Sequence, residues 1–301
     1  SYTLQLLADD LHSEWGNNTL PLELEAGEFV SQNLSLVGGF RLEGVLTSGG
    51  QPIFDEQISI KEVSGQRTAE VFSTASGYFT TVLPHGLYDL YTLQEHGDAV
   101  TVYLDRVDSG SYSGPLDARL VAGSRVSGTL FVDLNGNGLH DQDLDEKIVG
   151  GISVHFDSPY GKVEVPTSSS GNYEAILPQG DFTAHALQMD EGGAMAVLRV
   201  VQVEYGSTTA DLPLLPAQDL MVRLYEQHLG QDLPATGLLR LEGDGGSIST
   251  WVDEAGAALI LPSGSYRPTL EKDGYRLIDG EHFQHYAIQE VVLEIERDPV
   301  E

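Results

Sequence analysis

Three stretches of the chain repeat one pattern: a glycine, a short alternating strand, then Leu-Pro-x-Gly-x-aromatic. They read Gly77-Tyr78-Phe79-Thr80-Thr81-Val82-Leu83-Pro84-His85-Gly86-Leu87-Tyr88; Gly171-Asn172-Tyr173 running to Leu177-Pro178-Gln179-Gly180-Asp181-Phe182; and Gly256-Ala257-Ala258 running to Leu261-Pro262-Ser263-Gly264-Ser265-Tyr266. A repeat at this spacing makes each copy a unit with its own small core. The chemistry of the pattern is that of a scaffold. Gly permits a positive φ, the strand inserts one aromatic into the core, and Pro ends the strand where no ladder donor is needed. The second Gly turns the chain toward the next strand, which the Tyr or Phe anchors. In the third copy Ala258 stands where the others have Phe79 and Tyr173.

Around these copies, apolar and polar residues alternate in short bursts, as in Val126/Gly128/Leu130/Val132, Ile152/Val154/Phe156, Val100/Val102/Leu104 and Val291/Leu293/Ile295. Period two marks half-buried strands, and clusters such as Thr47-Ser48-Gly49-Gly50-Gln51-Pro52 punctuate them. The best helical candidate, 217–230, reads better as a linker into the first strand of the last module. The expected fold class is all-β: a tandem array of antiparallel β-sandwich modules, Ig-like or prealbumin-like. Each has about seven strands in roughly 100 residues. First strands are expected at Phe40-Arg41-Leu42-Glu43-Gly44-Val45, Arg125-Val126-Ser127-Gly128-Thr129-Leu130 and Val222-Arg223-Leu224-Tyr225. The expected modules are 38–122, 123–220 and 221–301.

In these residues the chain resembles the prealbumin-like sandwiches called carboxypeptidase regulatory-like domains, and the B-type repeats of bacterial and archaeal surface adhesins. The shared pattern runs through all three modules. The resemblance implies a sandwich fold and stalk-like tandem use, and it implies no activity.

The pattern also sets a frame. Ser1-Tyr2 aligns with Ser265-Tyr266, and the stretch from Tyr266 to the end matches the stretch from Tyr2 to about Val37. Residues 1–37 are therefore expected to be the second half of a module. Its missing strands would come from a longer array of adjacent modules or from another copy of the chain by strand complementation.

Formal net charge is −31, from 46 acidic against 15 basic residues. Such a field repels nucleic-acid backbones and anionic lipid, and it suits divalent cations and concentrated salt. The composition, with Lys61, Lys147, Lys162 and Lys272 as its only lysines, is similar to that of proteins from salt-adapted organisms and of acidic secreted proteins. There is no cysteine, which excludes disulfides but not the cell exterior. No apolar run is long enough to span a membrane as a helix.

One segment carries chemistry: Asp133-Leu134-Asn135-Gly136-Asn137-Gly138-Leu139-His140-Asp141-Gln142-Asp143-Leu144-Asp145-Glu146. Oxygen-bearing side chains at Asp133, Asn135, Asn137 and Asp141, with Gly138 between, reproduce the start of an EF-hand-type loop that turns alternate residues around Ca2+. Leu139 would contribute its carbonyl. Leu144 stands where the EF-hand has its bidentate Glu. The adhesin repeats carry a similar loop directly after the first strand. Relative to them this one runs about two residues longer, which implies Glu146 as the closing ligand, with Asp145 or Asp143 as substitutes. A solvated acidic turn is the alternative.

Other motifs are weaker. Asn17-Asn18-Thr19 and Asn33-Leu34-Ser35 are glycosylation acceptors, with Asn17 and Asn33 as the modified residues. Leu233-Pro234-Ala235-Thr236-Gly237 spells a sortase signal without the apolar tail and basic stop that must follow, and it reads as a repeat turn. His282 and His285 lack a third metal ligand. Trp15 and Trp251 could be sugar platforms, though strand packing explains Trp251 better. No phosphate loop, Gly-x-Ser-x-Gly or His-Glu-x-x-His occurs.

The expectation is a non-enzymatic extracellular or cell-surface protein, a stalk or filament segment stabilised by calcium. The alternative is an adhesin or an accessory module of a secreted hydrolase, with a glycan or a surface protein as partner.

Overall fold

The computed structural model describes residues 2–6, 15–16, 18–22, 37–64, 67–96, 99–144, 146–190, 193–228, 231–272, 274–278, 280–287 and 289–297. They fall into two compact units, Ser1–Ala122 and Gly123–Glu301. Strands make up nearly all of the regular structure, with no α-helix among the described residues and one 3₁₀ turn at Gln142–Leu144.

The first unit contains β1 (Tyr2–Leu6), β2 (Trp15–Gly16), β3 (Asn18–Leu22), β4 (Val37–Ser48), β5 (Gln51–Pro52), β6 (Gln57–Glu62), β7 (Thr68–Phe72), β8 (Tyr78–Pro84), β9 (Leu87–His96), β10 (Ala99–Asp108) and the start of β11 (Leu116–Val132). β1 and β3 form an antiparallel pair, and β2 lies antiparallel to the beginning of β4. β4 is hydrogen-bonded on both sides, antiparallel to β8 and parallel to the start of β11. The facing sheet runs β7-β6-β9-β10. Between the sheets, Leu42, Leu46, Ile58, Ile60, Phe79 and Leu90 form the core.

The second unit continues with β12 (Ser153–Ser158), β13 (Gly161–Pro166), β14 (Asn172–Pro178), β15 (Gly180–Asp190), β16 (Gly193–Val203), β17 (Ser207–Thr209), β18 (Leu212–His228), β19 (Gln231–Ala235), β20 (Gly237–Gly243), β21 (Gly246–Val252), β22 (Ala257–Pro262), β23 (Gly264–Glu271), β24 (Tyr275–Leu277), β25 (Phe283–His285) and β26 (Gln289–Arg297). Here the wiring of β4 recurs. β11 lies antiparallel to β14 and parallel to β17 and β18, opposite a sheet ordered β13-β12-β15-β16. β18 lies antiparallel to β22 and parallel to β26, opposite a sheet ordered β21-β20-β23-β25. Leu220, Val222, Leu224, Leu239, Leu241 and Ile295 fill that last sandwich. The stretch from 217 into the expected strand at Val222-Arg223-Leu224-Tyr225 is therefore not a linker. It belongs to β18, which leaves the sheet of β11 and enters the next without a break, because partners on both sides claim its backbone.

Register explains the repeated pattern and corrects one reading of it. Gly44 faces Phe79 and Gly128 faces Tyr173, each five positions beyond the pairing of a proline with Gly39 or Gly123. In the third copy the same offset from Pro262 pairs Val222 with Ala257, so buried Ala257, and not exposed Ala258, replaces the aromatic. The turn there is one residue shorter. Small-against-large has become large-against-small at the same register position. A Cβ on Gly44 would sit 2.5 Å from Phe79 Cζ, and one on Gly128 would sit 2.0 Å from the Ala210 carbonyl oxygen. The turn glycines Gly77 and Gly171 have φ of 76° and 72°, which costs Gly nothing. The closing tyrosines reach back to the proline carbonyls: Tyr88 Oη donates to Pro84 O at 2.9 Å and Tyr266 Oη to Pro262 O at 2.8 Å. Burial pushes the Tyr266 hydroxyl up to about 12, so it stays a donor.

Gly44→Ala and Gly128→Ala are expected to destabilise their sandwiches by about 2 kcal/mol or more. Gly38→Ala, whose added methyl meets nothing within 4 Å, should stay within about 0.5 kcal/mol. Urea denaturation of the three variants checks this, and equal midpoints for all three would refute the close-packing account.

Candidate functional site

The acidic segment leaves β11 at its end. Its base is tied by Asp133 N–H to Leu214 O at 3.0 Å and by Val132 N–H to Lys147 O at 2.8 Å. Asp133 is 2% exposed. Its Oδ1 accepts from Gly136 N at 2.7 Å and Asn137 N at 3.3 Å, and its Oδ2 accepts from Gly138 N at 2.7 Å. Asn135 Oδ1 accepts from Asn137 N, and Asn137 Oδ1 from Leu139 N. Both carboxamide nitrogens then converge on one atom, Asp141 Oδ2, at 2.8 and 2.7 Å. Glu146 is buried as well. Its Oε1 accepts from Leu134 N at 2.9 Å and its Oε2 from Asp141 N at 2.6 Å, while its carbonyl meets His140 Nε2 at 3.0 Å. Leu134 and Leu139 point outward.

The structure thus gathers Asp133, Asn135, Asn137, Asp141 and Glu146 around one loop, with Asp133 and Glu146 buried rather than solvated. Asp145 lies outside the described residues. Every donor is oxygen, which is the set a hard cation requires. Each Asn Oδ1 that accepts a backbone bond keeps a second lone pair. Two N–H dipoles already aim their positive ends at Asp141 Oδ2, where a cation would compete with them. Among the described residues no three His, Cys, Asp or Glu side chains gather as a metal centre would, so this loop would lean on neutral amide and carbonyl oxygens. Fewer charged ligands mean weaker binding.

The remaining sequence motifs are accounted for as follows. Asn17 and Asn33 lie outside the described residues. Leu233-Pro234-Ala235 forms β19, antiparallel to Glu226-Tyr225-Leu224 of β18, as β5 lies against the end of β4. His285 is buried, with Nε2 3.1 Å from Gln218 O, while His282 is exposed. Trp251 sits on β21 opposite Leu238 and is 38% exposed.

A second cluster carries no sequence motif. His155 of β12 and His185 of β15 are register partners, and their rings stack at 4.8 Å with an interplanar angle of 12°. His155 Nδ1 is 4.0 Å from Glu164 Oε2. His185 Nε2 is buried and finds no hydrogen-bond partner among the described residues, although the residue as a whole is only half-buried. Burial holds the His185 imidazole well below its ordinary range, and Lys162 and His155 add to the effect. Nearby, β21 docks on the sheet of β12 and β15. Ser249 N donates to Asp157 Oδ2 and Ser247 N to Thr183 Oγ1, both at 3.0 Å. Gly245 lies so close that a Cβ there would come within 2.0 Å of Leu198 O.

No family model and no curated protein matches the chain. Among solved structures, the TIE protein of Bacillus anthracis is similar over 93% of this chain at 14% identity and a TM-score of 0.24. This chain spans about half of that protein's length, 55%. A streptococcal ancillary pilin matches 86% of this chain and 100% of its own, at 12% identity and a TM-score of 0.23. BcpA, the major pilin subunit of Bacillus cereus, matches 86% and 99%, at 12% identity and a TM-score of 0.23.

The histidine pair makes a pH prediction. The folded pKa of His185 lies below its unfolded value near 6.5. Below that pH the unfolded chain binds the extra proton, so the contribution is complete above about pH 6.5 and is lost as pH falls toward the folded pKa. Between pH 7.5 and 5.5 the second unit should lose stability through this group. His185→Phe should remove that part of the slope in denaturant titrations, and an unchanged slope would refute it.

Proposed function

We propose that this chain is a non-enzymatic structural protein of the cell surface or extracellular space, a stalk or filament segment of tandem β-sandwiches stiffened by calcium at 133–146. The observation that carries the reading is the parallel pairing of first and last strands. β18 and β26 are joined through seven register pairs, Leu220↔Gln289 to Glu226↔Ile295. Tension applied at the start of β18 and the end of β26 loads those bonds in shear, so they must fail together. The pairs β4–β11 and β11–β18 have the same geometry. β18 also carries load from one sheet to the next without a linker.

The acidic loop begins where β11 and β18 part, at the Asp133 N–H bond to Leu214 O. Bound Ca2+ would supply the positive charge around which Asp133, Asp141, the Asn135 and Asn137 carboxamides and the Leu139 carbonyl pack, with Asp145 or Glu146 closing the set. Asp133 holds the loop's amides, and Glu146 ties its entry to its exit. Tightening the loop would therefore resist separation of β11 from β18. Partners on this reading are adjacent modules or further copies of the chain. β22, bonded to β18, has no second ladder partner among the described residues.

Calcium should bind weakly, with a Kd of roughly 10⁻⁴–10⁻³ M. The test is thermal unfolding and single-molecule stretching in millimolar calcium and in chelator. Chelation should lower both the melting temperature and the unfolding force of the second unit, and Asp133→Ala should abolish the difference. An unchanged transition after calcium removal would refute the calcium part. Low-force, stepwise opening of the sandwiches in either buffer would refute the stalk.

A further inference from the structure

The second unit contains a cavity of about 700 Å³ where the sheet of β12, β15 and β16 approaches β18 and β22. Leu187 and Val197 line one wall, and Leu220, Leu259 and Leu261 line the other. The volume lies within the range of small-molecule sites, and the pattern of apolar walls with a few polar groups is theirs as well. The polar groups here are Ser153, Asp219, Gln289 and the stacked imidazoles of His155 and His185. A buried ring nitrogen without a partner costs stability. His185 Nε2 is such an atom among the described residues, on a residue that lines the cavity.

We propose that this cavity binds an uncharged apolar molecule of roughly ten to twenty heavy atoms that carries one hydroxyl group to His185. A hydroxyl both donates and accepts, so it satisfies either tautomer of the imidazole. Nε2 is buried in the rotamer present, so the contact needs a half-turn about χ2, which exchanges Nε2 with Cε1. Anions are disfavoured by Asp219 in the wall, by the net charge of −31 and by an imidazole that burial keeps neutral. A metal ion fits poorly because the two rings lie within 12° of parallel, so their lone pairs do not converge on one point.

The test uses 4-phenylphenol and its hydroxyl-free counterpart biphenyl, titrated into the full chain and followed by calorimetry. The phenol should bind about tenfold tighter, the equivalent of one hydrogen bond to a buried acceptor. His185→Phe should erase that preference while leaving biphenyl binding in place. Leu259→Trp, which fills the cavity from the edge strand, should weaken both probes, with circular dichroism verifying that each variant is folded. Equal affinities of the two probes for the native chain would overturn the proposal. So would a preference that survives in His185→Phe, or undiminished binding of both probes to a folded Leu259→Trp.

Discussion

The structure depends on one constraint: the first strand of each sandwich is hydrogen-bonded along both edges, antiparallel to the strand of the repeated pattern and parallel to the strand that closes the sandwich. β4, β11 and β18 each occupy this position. A central strand cannot slip without breaking two ladders, so its register fixes which side chains face the core. The Gly44–Phe79, Gly128–Tyr173 and Val222–Ala257 pairs follow from that register. In each the two facing residues together fill one slot between the sheets.

The same constraint places the acidic loop. It can grow only where β11 ends, and its first residue is held by a backbone bond to β18. A loop rooted there is tied directly to the pairing of β11 with β18. In the second unit, Asp157 and Thr183 give the edge amides of β21 their partners. An exposed edge is thereby covered, and the cavity lies beside the histidine pair.

Much of this is legible in the sequence. Alternation of period two identified the strands, and the Leu-Pro-x-Gly pattern located the turns. The Asp133-to-Asp141 spacing marked out the loop in which Asp133, Asn135, Asn137 and Asp141 are joined by hydrogen bonds. Three things were not legible. Residues 217–221 lack a clean turn signal, so only their pairing with β22 shows them to be strand continuous with the expected Val222-Arg223-Leu224-Tyr225. The substitution in the third copy was assigned to Ala258, because counting from the glycine misses a turn shortened by one residue, and counting from Pro262 finds Ala257. The third is that both oxygens of Glu146 hold backbone amides of the loop, which no local pattern records.

The sequence by itself determined the local terms: which segments are strands, where the chain turns, and that five carboxylates crowd one loop. These follow from side-chain period, backbone freedom and charge, all of which act over a few residues. Only the tertiary structure decided which strands become neighbours. Parallel closure of each sandwich, the His155–His185 stack and the burial of an unpartnered ring nitrogen all arise from register between segments far apart in the chain. Hydrogen-bond ladders set that register between distant strands, and no local pattern records it.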